Sequence, residues 1–356
     1  MKKILIYALT EGRGGVEEYV MNFSRFGEHP SSKYGYMVLG DGTVYEEELN
    51  HFHVDYFFVP KKRKLFSNIY VLKKIMKEQR DDYETIYFNT SGLYYPVPYL
   101  LAKKYKYKII LHAHLSDGEW FKKIIHQINQ IWINKMVNVR LACSTQAGKW
   151  MFGKNEDFQV IPNAIDIERF RYNDEYRKQY KKQHGLQEKF IIGNVGRLHK
   201  IKNQQFIIDI LKELVEIGLD SVLLLVGDGD MKIQLIKKAE AYKIKDRVIF
   251  TGQTNEPEWY YSVMDYFVMP SFVEGFPITL VEAQANGVPC IVSDAITTEA
   301  NISKKICYMS LSESPRKWAN FIMKNHERYN CEDVLMKKGF DIKNFEAFIA
   351  KYLEFQ

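Results

Sequence analysis

Along most of the chain, short runs of β-branched and aromatic residues alternate with amphipathic stretches, and few architectures accept that alternation. A run that is apolar throughout suits a strand buried on both faces, and joining two parallel strands takes a crossover of a dozen or more residues, usually a helix. In the first half the strand-like runs are KILIYAL, YGYMVLG, VDYFFV, ETIYF, YKIILH and VRLAC, with helical patterns such as GVEEYVMNFSRF and NIYVLKKIMKEQ between them. In the second half they are KFIIGNVG, SVLLLVGD, DRVIFTG, DYFVMP and VPCIVSD. This is the pattern of parallel sheets with crossover helices, occurring twice. At 356 residues the chain also exceeds the usual size of one core. The expected division is a domain over residues 1–165, a second over 166–335, and a terminal helix over 336–356 that packs back on the first. The seam lies at IPNAIDIERF (Ile161 to Phe170), where the strand-like FQVIP ends and a charged segment leads into the second domain.

Composition narrows the class. Apolar residues make up 46% and charged residues 26%, as in a soluble globular protein, and no apolar run approaches the roughly 20 residues that span a bilayer. The N-terminal Lys2-Lys3 and Ile4 to Leu9 resemble a secretory signal only superficially: the stretch is short and runs into Thr10-Glu11-Gly12. Cys143, Cys290, Cys307 and Cys331 lie far apart, without a C-x-x-C pair or metal spacing to histidine, which points to a reducing cytoplasm. Charge is unevenly shared. Residues 1–155 hold 23 Lys/Arg against 15 Asp/Glu, while the rest hold 27 against 29. The first half is thus built to meet something anionic.

The segment Pro270 to Asp294 carries the densest chemistry. A strand ends at Pro270, a Gly-containing turn follows, and ITLVEAQA reads as a helix with Pro277 at its first position and Gly287 just past its end. The start of such a helix presents unpaired N–H groups and about half a positive charge. Glu274 stands just before that end and Glu282 lies inside the helix. Paired carboxylates first suggest the nucleophile and acid of a glycoside hydrolase. A ligand with both an anion and several hydroxyls, such as a sugar nucleotide, also fits.

Three further constellations lie at strand ends. Gly14-Gly15-Val16-Glu17 follows the first strand, where glycines let backbone approach a ligand. The G-x-G-x-x-G fingerprint of NAD enzymes is absent. Arg197 and Lys202 follow FIIGNVG, with Asn203 expected to cap the next helix, and two cations there would point into the crevice where open α/β sheets bind ligands. His112 and His114 end YKIILH on the same side of the strand. Asp228 and Asp230 in VGDGD form a D-x-D that invites a metal reading, but their setting is a Gly turn closing a buried strand.

Taken in order, these segments resemble the retaining glycosyltransferases of family four. The matches are G-G-x-E at Gly14 to Glu17, the histidine strand tip, and I-P-N-G-I-D at Ile161 to Asp166 with Ala164 in place of the glycine. They continue with G-R-x4-K at Gly196 to Lys202, V-G-D-G at Val226 to Gly229, and E-G-F-(G/P)-x4-E-A at Glu274 to Ala283. The resemblance covers nearly the whole chain and implies the α/β GT-B fold, two Rossmann-like domains facing each other across a cleft. It implies that Gly14 and Gly15 line the donor site. Arg197 and Lys202 would hold the donor pyrophosphate and offset charge on the leaving nucleoside diphosphate. Glu274, within Gly275-Phe276-Pro277, would bind sugar hydroxyls, and Glu282 the ribose hydroxyls. The N–H groups of Ile278, Thr279 and Leu280 would cap the phosphates, and either His112 or His114 would contact the donor sugar near the reaction centre. Retention would follow from attack on the face the leaving group departs, with no metal and no cofactor; the nucleotide-sugar, a UDP-sugar foremost, is a substrate.

The implied partners are that donor and a saccharide or lipid-linked saccharide acceptor, in surface-polysaccharide or glycoconjugate assembly at the cytoplasmic side of the plasma membrane. Basic clusters at Lys61-Lys62-Arg63-Lys64, Lys73-Lys74, Lys103-Lys104 with Lys106 and Lys108, and Lys122-Lys123 adjoin apolar positions and fit an anionic membrane or a merely solvated surface. Nucleic acid is disfavoured, because no recognised binding motif accompanies the charge. Rival readings are a non-catalytic sugar-nucleotide-binding subunit, or another GT-B enzyme such as a sugar-nucleotide epimerase or phosphorylase.

Overall fold

The computed structural model describes residues 3–12, 14–27, 30–114, 120–154 and 156–344. The chain divides into two compact units, Met1–Ala164 with Ile342–Gln356, and Ile165–Asp341. The division falls within IPNAID. The expected terminal helix lies outside the described residues beyond Asn344, although Ile342 is buried in the core of the first unit.

The first unit is built on a seven-stranded sheet of β1 (Lys3–Thr10), β2 (Tyr34–Leu39), β3 (Asp55–Val59), β4 (Tyr83–Thr90), β5 (Lys108–Ala113), β6 (Val139–Ala142) and β7 (Gln159–Val160). Its order is β3-β2-β1-β4-β5-β6-β7, all pairs parallel. The chain winds outward from β1 in one direction and from β4 in the other, so the order reverses between β1 and β4. Crevices at such switch points, beyond the C-terminal ends of the strands, are where open α/β sheets bind ligands. Ile4, Ile6, Tyr36, Val38, Tyr87, Ile110 and Leu141 pack from the sheet against Tyr19, Val20 and Phe23 of the helix Gly15–Arg25.

The second unit holds a six-stranded sheet of β8 (Phe190–Val195), β9 (Ser221–Val226), β10 (Val248–Gly252), β11 (Tyr266–Met269), β12 (Cys290–Ser293) and β13 (Cys307–Met309). The order is β10-β9-β8-β11-β12-β13, again parallel throughout, with the reversal between β8 and β11. Ile192, Leu223, Leu225, Tyr266, Val268 and Ile291 form its core with Ile207, Ile208 and Leu211 of the helix Gln204–Glu216 and with Trp318. The charged segment after the seam contains the helix Asp174–Gln183, capped by Asn173, whose Oδ1 accepts from the Tyr176 N–H at 2.8 Å. Two details differ from the sequence reading. Pro277 caps the helix Ile278–Asn286 from an extended conformation instead of opening it. β13 is an added strand of three residues, too short to show any period.

Candidate functional site

In the second unit both sides of the switch point carry predicted residues. The loop after β8 holds Arg197 and Lys202; the loop after β11 holds Glu274 to Pro277. Backbone and side chains tie the two loops together. The Phe272 N–H donates to the Ile201 carbonyl at 2.9 Å, and the Asn203 amide donates to the Pro270 carbonyl at 3.2 Å. Asn203 therefore sits at the helix start in a left-handed conformation without capping it; its side chain is used across the loops instead. Lys202 Nζ donates to both Glu274 oxygens, at 2.7 and 2.8 Å, and the Glu274 side chain is only 9% exposed. Removing either partner alone leaves the other charge poorly solvated, so each holds the other in place. The Arg197 guanidinium lies on an exposed residue, and its backbone is fixed by Gln204, whose amide donates to the Arg197 carbonyl at 2.9 Å.

The VGDGD turn supports this loop from beneath. The Leu198 N–H donates to the Asp228 carbonyl at 3.0 Å, and the Met231 N–H donates back to the Leu198 carbonyl at 3.1 Å. A Cβ at Gly229 would collide with the Leu198 carbonyl oxygen, so the close approach requires glycine. Asp228 accepts from the Gly229 N–H and faces Lys232. Among the described residues no cluster of three metal-ligating side chains occurs.

The helix Ile278–Asn286 starts beside Glu274 and ends at Gly287 in the left-handed region. Of the three N–H groups expected to face phosphates, that of Leu280 is already taken by the Pro277 carbonyl at 3.0 Å. Those of Ile278 and Thr279 are the donors left at this end among the described residues. One turn on, Glu282 accepts from the Tyr261 hydroxyl at 2.6 Å, and the same hydroxyl lies 3.2 Å from the Thr279 carbonyl. Tyr261 is fully buried, and burial together with the adjacent Glu282 holds its pKa well above the usual phenol value, so it remains a donor. Phe276 is buried and stacks on Phe340 at 5.8 Å, and Gly275 and Pro277 are buried beside it.

In the first unit, Gly14 and Gly15 open the helix Gly15–Arg25 directly after β1. Glu17 curls back over Gly14, where a Cβ would meet its Oε2 at 2.7 Å, and Thr10 donates to Glu17 Oε1 at 2.6 Å. Two strands away, His112 and His114 lie side by side with ring centroids 4.1 Å apart. The Nδ1 of His112 is 2.6 Å from the Tyr87 hydroxyl, itself 3.1 Å from the Tyr19 hydroxyl. The Nε2 of His114 is 2.9 Å from Asn89 Oδ1. His112 Nε2 is buried and has no hydrogen-bond partner. Burial drives the His112 pKa well below the ordinary imidazole value, with the neighbouring His114 adding to it; burial alone takes His114 down to about 3. Both rings are neutral near pH 7. The stretch Leu115-Ser116-Asp117 lies outside the described residues.

Each unit thus gathers its own predicted residues: Arg197, Lys202, Glu274 to Leu280 and Glu282 in the second, and Gly14, Gly15, His112 and His114 in the first. The sequence reading missed Tyr261, Tyr87 and Tyr19. Nothing in PEWYYSV marks one tyrosine among the chain's 24, because its carboxylate partner lies 21 residues away.

Residues 176–305 match the family model described as glycosyl transferases group 1. Among curated proteins, a putative glycosyltransferase EpsF of Bacillus subtilis (strain 168) is 27% identical over 99% of this chain and 96% of its own length. The UDP-Gal:alpha-D-GlcNAc-diphosphoundecaprenol alpha-1,3-galactosyltransferase of Escherichia coli is 28% identical over 67% of this chain and 66% of its own. Among solved structures, Anabaena Alr3699/HepE in complex with UDP and glucose superposes with a TM-score of 0.84, covering 100% of both chains at 20% identity. WaaG, a glycosyltransferase involved in lipopolysaccharide biosynthesis, gives 0.66 at 14% identity over 98% of this chain and 96% of that one. The glycosyl transferases group 1 match thus lies wholly in the second unit, and the chain has the GT-B fold.

Proposed function

We propose that this glycosyltransferase transfers a sugar, with retention and without a metal, from a UDP-sugar to a saccharide or lipid-linked saccharide acceptor at the inner face of the plasma membrane, in surface-polysaccharide assembly. The observation that carries the donor assignment is the arrangement at the β8–β11 switch point. Two cations, a helix start with free N–H groups and two carboxylates converge there, with Lys202 already gripped by Glu274. A pyrophosphate suits Arg197, Lys202 and the N–H groups of Ile278 and Thr279, since each offers a donor to anionic oxygen. Glu282, steadied by Tyr261, suits two ribose hydroxyls. The structural neighbour bound to UDP and glucose and the relative named for UDP-Gal support a UDP-sugar. The diphosphoundecaprenol acceptor in that relative's name supports a lipid-linked acceptor here.

In this reading the chemical step breaks the bond from the anomeric carbon to the phosphate oxygen as the acceptor oxygen attacks on the same face. The acceptor proton passes to the departing phosphate, and Arg197 and Lys202 offset the charge that grows there. Purified protein with a UDP-sugar and acceptor should release UDP in step with product. Arg197→Ala should lower turnover about 10²- to 10³-fold, and chelators should leave the rate unchanged. Arg197→Ala at the wild-type rate would remove the assignment.

A further inference from the structure

The grip proposed for Glu282 depends on the spacing of two helices, because Tyr261 stands on Pro257–Val263 and Glu282 on Ile278–Asn286. Both helices end at buried residues, Val263 and Asn286, where the last carbonyls of a helix have no partner within it. Two arginines meet these ends. Arg177 donates to the Ser262, Val263 and Met264 carbonyls at 3.3, 2.6 and 3.3 Å and pairs with Asp265 at 2.5 Å. Arg328 reaches both helices at once. Its Nη2 donates to the carbonyls of Tyr261 at 3.0 Å, Ser262 at 3.2 Å and Met264. Its Nη1 donates to Asn286 Oδ1 at 2.7 Å and to the Asn286 carbonyl at 3.3 Å.

A helix C-terminus favours a cation, so one arginine at each end would be ordinary. Arg328 differs in having no counter-ion. Among the described residues it has no ion-pair partner, since the nearby Asp265 is taken by Arg177, and its guanidinium lies 4.3 Å over the Tyr172 ring. Burial, with the like charge of Arg177 adding to it, brings its pKa down to about 10, so it is still a cation near pH 7. An unpaired charge in such a setting is costly, and a neutral cap would avoid the cost. What a guanidinium supplies is geometry: a planar fork fixes oxygens of two helices in one arrangement, as a flexible ammonium does not.

Those oxygens belong to the ribose grip. On one helix Arg328 holds the backbone of Tyr261, whose hydroxyl donates to Glu282. On the other it holds Asn286, one turn beyond Glu282 on the same face. Asn286 also donates to the Ser262 hydroxyl at 3.1 Å and to the Phe170 carbonyl at 3.0 Å. The next residue anchors the fork. The Tyr329 N–H donates to the Gly287 carbonyl at 3.0 Å, and a Cβ at Gly287 would collide with the Tyr329 carbonyl oxygen.

We infer that Arg328 is a positioning residue for the donor's ribose: by tying the ends of Pro257–Val263 and Ile278–Asn286 together, it keeps the Tyr261 hydroxyl on Glu282 and the carboxylate in one rotamer. It acts through these two residues and not on the substrate. The inference rests on the proposed use of Glu282 for the ribose hydroxyls.

The test is ribose selectivity in the purified full chain, by calorimetric titration with UDP and with 2′-deoxyuridine diphosphate below the melting temperature. Wild type should bind UDP about tenfold or more tightly than the deoxy analogue. Arg328→Lys keeps the charge and loses the fork. It should reduce that ratio to about threefold or less and raise the UDP-sugar KM about tenfold, with kcat little changed. A role in stability alone would lower the melting temperature and leave the ratio of the folded protein where it was. Asn286→Ser cuts the same tie from the other helix and should lower the ratio too, which keeps the test open should Arg328→Lys not fold. In a Glu282→Gln background, Arg328→Lys should change UDP affinity by less than about twofold, because the group it positions is gone. Wild-type selectivity in either variant, or effects of Arg328→Lys and Glu282→Gln that multiply, would overturn the inference. Failure of the underlying reading looks different: wild type itself would bind the two ligands equally, or bind neither.

Discussion

The grip on two hydroxyls proposed for Glu282 requires the carboxylate to be held in one rotamer, and the Tyr261 hydroxyl is the group that holds it. The hydroxyl at 2.6 Å is a charge-assisted donor in a buried setting, a bond worth about 1.5–3 kcal/mol when lost. Tyr261→Phe keeps the ring against Phe170 and Phe267 and removes only that donor. The expected result is a donor KM raised about tenfold, taking the lower end of that range, with kcat little changed. A variant that melts lower but keeps the wild-type KM would show that Tyr261 serves the core alone. The placement of the side chains in strand-end motifs was legible in the sequence: Arg197 and Lys202 follow β8, Glu274 follows β11, and Glu282 lies in the helix after it. Tyr261 was not, because its role depends on a contact between two helices that no local pattern encodes. The Lys202–Glu274 pair is intermediate: both residues were read as ligand-facing, but their mutual bond exists only because β8 and β11 are neighbours.

Elements were read more easily than their joints. β-branched runs revealed the long central strands, whereas β13, with three residues, offered no period to read. The helix starts at Gly15, Gln204 and Ile278 were legible to within a residue, but NIYVLKKIMKEQ begins three residues inside the helix Leu65–Glu78, and Asn203 deceived because its side chain found a carbonyl across the loop. The helix Trp120–Ile133 would pass by periodicity for an ordinary amphipathic element; only the fold reveals that His126, Asn129 and Ile133 are the buried positions while Ile124, Ile128 and Ile131 are exposed. That element and the tip of β5 together bury three neutral histidines, each with its pKa pushed below the ordinary 6.5 mainly by desolvation. The sign follows directly. Above pH 6.5 these rings are neutral whether the chain is folded or not, and their contribution is fully present. As pH falls below 6.5 the unfolded chain takes up protons that the folded one refuses, so stability declines. Each histidine contributes a slope of about 1.4 kcal/mol per pH unit until its folded pKa is reached. Urea midpoints measured from pH 7.5 to 5 should fall below 6.5, and His114→Asn should flatten the slope by about one proton. Parallel slopes for the two proteins would show that His114 titrates as freely as in the unfolded chain.

At the scale of the whole molecule, the two sheets have separate cores, and the residues proposed to grip the nucleotide all belong to Ile165–Asp341. The uneven charge follows the same division: the basic excess lies in residues 1–155, and the slightly acidic remainder contains the residues proposed to hold the nucleotide. A sequence of two similar halves therefore announced the duplication of the parallel sheet. Ligand linkage converts the division into a measurement. A nucleotide that binds only the folded second unit stabilises it by RT ln(1 + [L]/Kd), about 2.7 kcal/mol at a hundredfold excess over Kd. For a unit of this size that corresponds to roughly 5–10 °C in melting temperature. Calorimetry with UDP should raise the transition of the second unit by that amount. Arg197→Ala should shrink the shift, since the loop it leaves behind keeps its backbone bonds and loses only a cation for phosphate. Ile128→Ser with Ile131→Ser should leave the shift intact. A transition unmoved by UDP and by every other nucleotide tried would contradict the donor grip proposed at the β8–β11 switch point.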